Sequence, residues 1–119
     1  MANDRRRYRV AQQIRSTLAT FLIHSPDSRF GMVTLTSVAL SPDLKIAKIY
    51  WVVTGGPARI SEATEAFEAA KKFFRKEMGK KLELRFVPEL RFFYDDTLDT
   101  VDEVDRLLER AKASGDQKE

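Results

Sequence analysis

The residues with the clearest chemical capacity lie at positions 71–81, KKFFRKEMGKK, where six Lys/Arg stand against a single Glu. Cations at that density neutralise phosphates and release counterions, so the chemistry on offer is salt-dependent binding of a polyanion. Lys71, Lys72, Arg75 and Lys76 recur at helical spacing, and Lys80 and Lys81 follow. The competing reading is a solvated helix face. Glu68 precedes Lys72 by four residues, the favourable order for an ion pair, but such a pair stabilises by only about 0.2–0.5 kcal/mol. Glu65 and Glu68 can neutralise at most two of the six charges. Arg5, Arg6, Arg7 and Arg9 form a second basic group, either a frayed arm or a further phosphate contact, and Arg15 shares that choice.

Catalytic chemistry is less well supplied. The chain has no cysteine, which removes thiolate nucleophiles, disulfides and Cys-based metal sites. His24 stands alone near the end of a helical stretch, where a partly charged imidazole suits the helix dipole better than catalysis. The run 95–105 holds six acids and no base; Asp95, Asp96 and Asp99 are the carboxylates available to hold Mg²⁺ for phosphoryl chemistry. No base or phosphate loop accompanies them, and Asp95 and Asp96 read better as caps of a final helix. Gly55-Gly56 has no Lys-Ser or Lys-Thr behind it and reads as a turn. Tyr50 and Trp51 alternate on a strand; one of them stacks on a base only if the sheet face is open, and core packing is the commoner use. The expectation is no catalytic residue, no metal and no cofactor.

These residues need elements to hold them. A helix is predicted over 4–24, with Asp4 as N-cap and Val10, Ile14, Thr17, Leu18, Phe21 and Leu22 as its apolar stripe. Residues 32–39 and 44–53 are β-branched and aromatic, and SPD at 41–43 joins them as an antiparallel hairpin. A second helix is predicted over 61–78, entered at Ser61 and stopped by Gly79. Its inward arc comprises Ala63, Ala66, Phe67, Ala70, Phe73, Phe74 and Met78, leaving the cations to face out. A third strand follows, with Leu82, Leu84 and Phe86 alternating against Glu83 and Arg85, and Pro88 places it at an edge or a bulge. A final helix is expected over 98–111 on Leu98, Val101, Leu108 and Ala111. The order helix, strand, strand, helix, strand, helix gives an α+β sandwich with helices on one face of a three-stranded sheet. One domain is expected over 1–112, with 113–119 as a disordered tail.

Net charge is only +3, yet residues 1–60 carry nine Lys/Arg against three Asp/Glu, and residues 61–119 twelve against fifteen. Such asymmetry favours a polyanionic partner met in one orientation. No run of eighteen apolar residues and no apolar segment behind MANDRRRYRV is present, so a cytoplasmic protein without a membrane partner is expected.

Three stretches in register, RRYRVAQQIRSTLATFL, VTLTSVALSPDLKIAKIYW and FFRKEMGKKLELRFVPELRFFYDD, resemble the bacterial ribosome-binding factor A family over roughly residues 5–108. LRFVPELRFFYDD and LSPDL are the most specific pieces. The resemblance implies a KH-like domain of type II topology in which a helix kink, written Ala-x-Gly, replaces the Gly-x-x-Gly loop. The matching stretch here is Ala70-Lys71-Lys72, with lysine in place of the glycine. It further implies a non-catalytic, monomeric assembly factor of the small (30S) ribosomal subunit. Such a factor acts on 16S rRNA during late maturation and 5′-end processing, beside assembly GTPases and in cold adaptation. The alternative is a general KH-type RNA binder without ribosome preference; a Mg²⁺-dependent nuclease built on Asp95–Asp99 is the reading from another class.

Overall fold

A computed structural model describes residues 2–97, 107–109 and 111. The elements are α1 (Ala2–His24), β1 (Val33–Leu40), β2 (Ile46–Val53), α2 (Pro57–Lys81) and β3 (Glu89–Tyr94), with a short 3₁₀ turn at Ser28–Phe30. The sheet order is β1-β2-β3. β1 and β2 are antiparallel, whereas β3 runs parallel to β2, a pairing that requires the crossover α2 supplies. Among the described residues no helix is long and apolar enough to cross a membrane.

The inner sheet face is set by one extra residue. Leu35 pairs with Trp51, and the register then shifts so that Val38 meets Ile49 and Leu40 meets Ala47. Strict alternation from Leu35 would turn Ser37 and Ala39 inward; the irregularity at Thr36 reverses the parity and keeps Leu40 in the core. Thr36 is thereby released from pairing, and its hydroxyl donates to Asp95 at 2.7 Å. Ala47, Ile49, Trp51 and Leu90 complete the inner face.

Both helices bury one stripe against that face. In α1 the stripe is Val10, Ile14 and Leu18, with Ala11 beside it and Thr17, Phe21 and Leu22 half-buried. Phe67 of α2 stacks on Phe92 at 4.5 Å between ring centroids and lies 5.1 Å from Trp51. Phe74 stacks on Phe21 at 5.9 Å and touches Phe30 and Phe92. Burying each such side chain is worth about 1.5–3 kcal/mol, so these aromatics fix the rotation of α2 about its axis.

Several sequence expectations require correction. The first helix begins at Ala2, so Asp4 lies within its first turn and pairs with Arg7 at 3.4 Å instead of capping it. The second helix begins at Pro57, not Ser61: Pro at the first helical position loses no hydrogen bond, and Gly56 (φ 85°) makes the entry turn. The same helix runs through Gly79 to Lys81. Gly79 is needed for closeness, since a Cβ there would sit 3.0 Å from Val87 Cγ2. Phe73 is not inward; it is 59% exposed, at the edge of the cation face. The third strand is Glu89–Tyr94, after Pro88, and the 82–86 stretch is not strand. Leu82 and Leu84 still lean on the core, but Phe86 is 76% exposed. Of the final helix expected over 98–111, only 107–109 and 111 fall among the described residues, and these are helical. The remainder of that span and the expected tail at 113–119 lie outside the described residues.

Candidate nucleic-acid interface

The outer face of α2 changes sign along its length. Glu62, Glu65 and Glu68 occupy its first half, and Lys71, Lys72, Arg75, Lys76, Lys80 and Lys81 its second. Cations gathered at the C-terminal end are favoured by the helix dipole, so the sequence places its densest positive charge where the helix tolerates it best.

The six cations differ in availability. Lys71 is half-buried and its Nζ donates to Glu68 Oε2 at 3.0 Å; Lys80 donates to Glu77 at 3.3 Å. The ion pair thus forms from Glu68 to Lys71 rather than to Lys72. Lys72 and Lys76 are exposed and have no carboxylate partner among the described residues. Arg75 is exposed and donates through Nη2 to the Val87 carbonyl at 3.1 Å, which orients the guanidinium without neutralising it. Lys81 turns toward α1, beside Ser16, Thr17 and Phe21. Helix α2 is continuous through Ala70-Lys71-Lys72, and Ala70 is half-buried at the edge of the core.

The N-terminal arginines are part of α1 rather than a frayed arm. Arg5, Arg6 and Arg9 are exposed, while Arg7 is half-buried and held by Asp4. The helices run antiparallel: Phe21 meets Phe74, and Lys81 lies by Ser16 and Thr17. The first turns of α1 therefore extend past the C-terminal end of α2, toward the 82–88 segment, where Arg6 lies beside Arg85. The two basic groups share one end of the molecule. Arg15 instead donates to the Leu35 carbonyl at 3.3 Å and serves the α1–β1 contact.

The remaining candidates have structural engagements. Asp95 accepts hydrogen bonds from the Thr97 hydroxyl, the Thr97 amide and the Thr36 hydroxyl; the first of these contributes most to holding its carboxyl below the usual range. Among the described residues no group of three or more His, Asp or Glu is arranged to hold a metal; Asp99 lies outside them. Trp51 is core, and Tyr50 packs on Phe93 across the opposite sheet face at 5.6 Å. His24 is exposed in the last turn of α1. Sequence reasoning missed Arg85 and Lys45, which join Arg6 at one cleft; the signal available was Pro88, which ends any strand pairing before it.

The protein-family model described as Ribosome-binding factor A matches residues 6–108. A protein of that description from Thioalkalivibrio sulfidiphilus is 40% identical over 106 residues, covering 88% of this chain and 82% of its own length. A Thermotoga maritima protein solved by solution NMR superposes with TM-score 0.65 at 32% identity, over 74% of this chain and 85% of that one. A homology model of Thermus thermophilus ribosome binding factor A, fitted into the cryo-EM map of its 30S complex, superposes with TM-score 0.61 at 21% identity, over 71% of this chain and 90% of that one. The shared architecture is the α+β, KH-like fold with its mixed sheet. From a sequence match spanning both helices and all three strands, the chain belongs to the ribosome-binding factor A family.

Proposed function

We propose that this chain is a non-catalytic assembly factor that docks on the small (30S) ribosomal subunit through the C-terminal half of α2. It acts on 16S rRNA during late maturation and 5′-end processing, as a cytoplasmic monomer working beside assembly GTPases. The observation that carries the reading is the exposed row Lys72, Arg75 and Lys76 on a helix whose rotation is fixed by Phe67, Phe74 and Met78. A rigid cation row of this kind meets folded RNA by shape and charge and needs no base-specific readout. Lys71, Lys80 and Lys81 extend the row, Arg5, Arg6, Arg7 and Arg9 supply its second part, and Ala70 marks the family's kink position. Family membership and the Thermus thermophilus protein's place in a 30S complex support the choice of partner.

Reversing Lys71, Lys72, Arg75 and Lys76 to Glu tests the reading. The variant should keep its circular dichroism spectrum and lose co-sedimentation with free small subunits. Wild-type binding by the variant would refute the patch. Equal affinity of the wild-type chain for small subunits, intact ribosomes and an unrelated RNA of matched length would refute the subunit preference.

A further inference from the structure

Where the segment before β3 leaves the C-terminal end of α2, a cleft of about 530 Å³ is lined by Arg6 of α1, Lys45 from the β1–β2 turn, and Arg85, Phe86 and Pro88 from that segment. Three separate parts of the chain bring one cation each to this cleft. Asp43 is the one acid lining it among the described residues, and its Oδ1 is engaged by the turn, accepting from the Ser41 hydroxyl at 2.6 Å and the Lys45 amide at 3.1 Å. Phe86 is 76% exposed, so most of its ring is open to a ligand. The Arg85 guanidinium carbon lies 5.5 Å from the ring centroid, so a cation already rests on the aromatic. Pro88, fully buried, closes the floor and fixes the backbone direction.

We propose that this cleft is a nucleotide-binding subsite for single-stranded RNA, with a base stacked on Phe86 and its flanking phosphates held by Arg6, Lys45 and Arg85. The proposal rests on the reading of the chain as an RNA-binding factor and adds a site outside the α2 row. An aromatic face gives stacking that any base can use, and converging cations give backbone contacts; together they are the two components of sequence-tolerant single-strand binding. A cleft of this volume suits one nucleotide better than a duplex, whose grooves and phosphates would ask for a flat or convex surface. The position of Leu44 fits this use. Its φ of 61° is left-handed, and the turn around it is held by the Ser41 and Asp43 hydrogen bonds, so Lys45 is presented by a rigid loop.

The test uses the full chain and a fluorescein-labelled oligouridylate of about ten nucleotides, a length within the span of common single-strand binders. Phe86→Ala should weaken binding about tenfold with the salt slope unchanged, the loss of one base stack. Arg6→Gln, Lys45→Gln and Arg85→Gln should each lower the slope by about 0.7. Phe86→Trp should restore affinity, and its emission should be quenched by the oligonucleotide above the background of buried Trp51. Inorganic tripolyphosphate should compete without quenching, which separates nucleotide recognition from phosphate binding alone. Unchanged affinity in Phe86→Ala, no quenching of Phe86→Trp at saturation, or equal quenching by tripolyphosphate overturns the subsite. Small-subunit co-sedimentation is read in parallel. Normal co-sedimentation of the wild-type chain with any of those results removes only the cleft, whereas failure of the wild-type chain to bind small subunits removes the proposed function as well.

Discussion

Charge pairing along α2 leads to an unequal ranking of its lysines. Among the described residues Lys72 and Lys76 have no carboxylate partner, whereas Lys71 and Lys80 are drawn to Glu68 and Glu77 at 3.0 and 3.3 Å. If Lys72 and Lys76 each cover a phosphate, Lys72→Gln/Lys76→Gln should flatten the log–log salt dependence of RNA affinity by about 1.4–1.8. Between about 50 and 200 mM salt that is roughly a tenfold change in how steeply binding is lost. Lys71→Gln/Lys80→Gln should flatten it by less than half as much, because those charges are already partly answered within the helix. Releasing them, in Glu68→Gln/Glu77→Gln, should raise affinity about two- to fivefold, since each pair is worth about 0.2–0.5 kcal/mol. Fluorescence anisotropy or filter binding over a salt series reads all three variants. Equal slopes for the two lysine pairs would show that the intrahelical pairs do not persist in solution, and the ranking would fall.

Other outcomes follow from packing and titration. Phe74→Ala should cost about 3–5 kcal/mol in urea unfolding, because the ring is 2% exposed and touches Phe21, Phe30 and Phe92. Its neighbour Phe73→Ala should cost no more than about 0.5 kcal/mol. Gly79→Ala gains about 1 kcal/mol of helix propensity but presses on Val87; in a Val87→Ala background the pressure is gone, so the two changes should couple by about 0.5 kcal/mol or more. The carboxyls of Asp27, Asp43 and Asp95 are held below the usual range by hydrogen bonds from the Arg29, Ser41 and Thr97 side chains, respectively. A lowered folded-state pKa gives stability that is complete above the unfolded-state value and lost as pH falls through the folded-state value. Thermal midpoints should therefore decline on acidification below about pH 4, and Asp43→Asn should shrink that decline.

The elements that could be read from sequence were those in which one periodicity dominates. The α1 stripe, the hairpin and the α2 core residues Ala63, Phe67, Phe74 and Met78 all stand where spacing placed them. Phe73 failed because it sits one step outside the buried arc, and a wheel cannot tell a core edge from a cation-face edge without knowing what packs there. Helix ends failed for a different reason. Ser61 and Gly79 carry good cap chemistry, but Pro57 offered an earlier start and the close approach of Val87 gave Gly79 another purpose. The parity change at Thr36 was also hidden, because an irregularity adds a residue without changing composition.

The misread stretch at 82–86 matters most for function. Its alternation of Leu82, Leu84 and Phe86 with Glu83 and Arg85 has the period of a strand, and only a pairing partner could convert that period into a sheet. None is available among the described residues, because the β2 residues from Ile46 onward are taken by Glu89–Tyr94, and Pro88 stands just before that pairing starts. The stretch instead crosses the C-terminal end of α2, where Val87 packs on Gly79 and receives Arg75. That placement leaves Leu82 and Leu84 against the core but releases Phe86, with Arg85, into solvent beside Arg6 and Lys45. One segment therefore does two things: it steadies Arg75 on the α2 row and displays the aromatic of the cleft. A Val87→Gly change should disturb both, lowering small-subunit affinity and oligonucleotide stacking together, while Lys72→Gln touches only the first; independent behaviour of the two readouts in Val87→Gly would break the mechanical link between them.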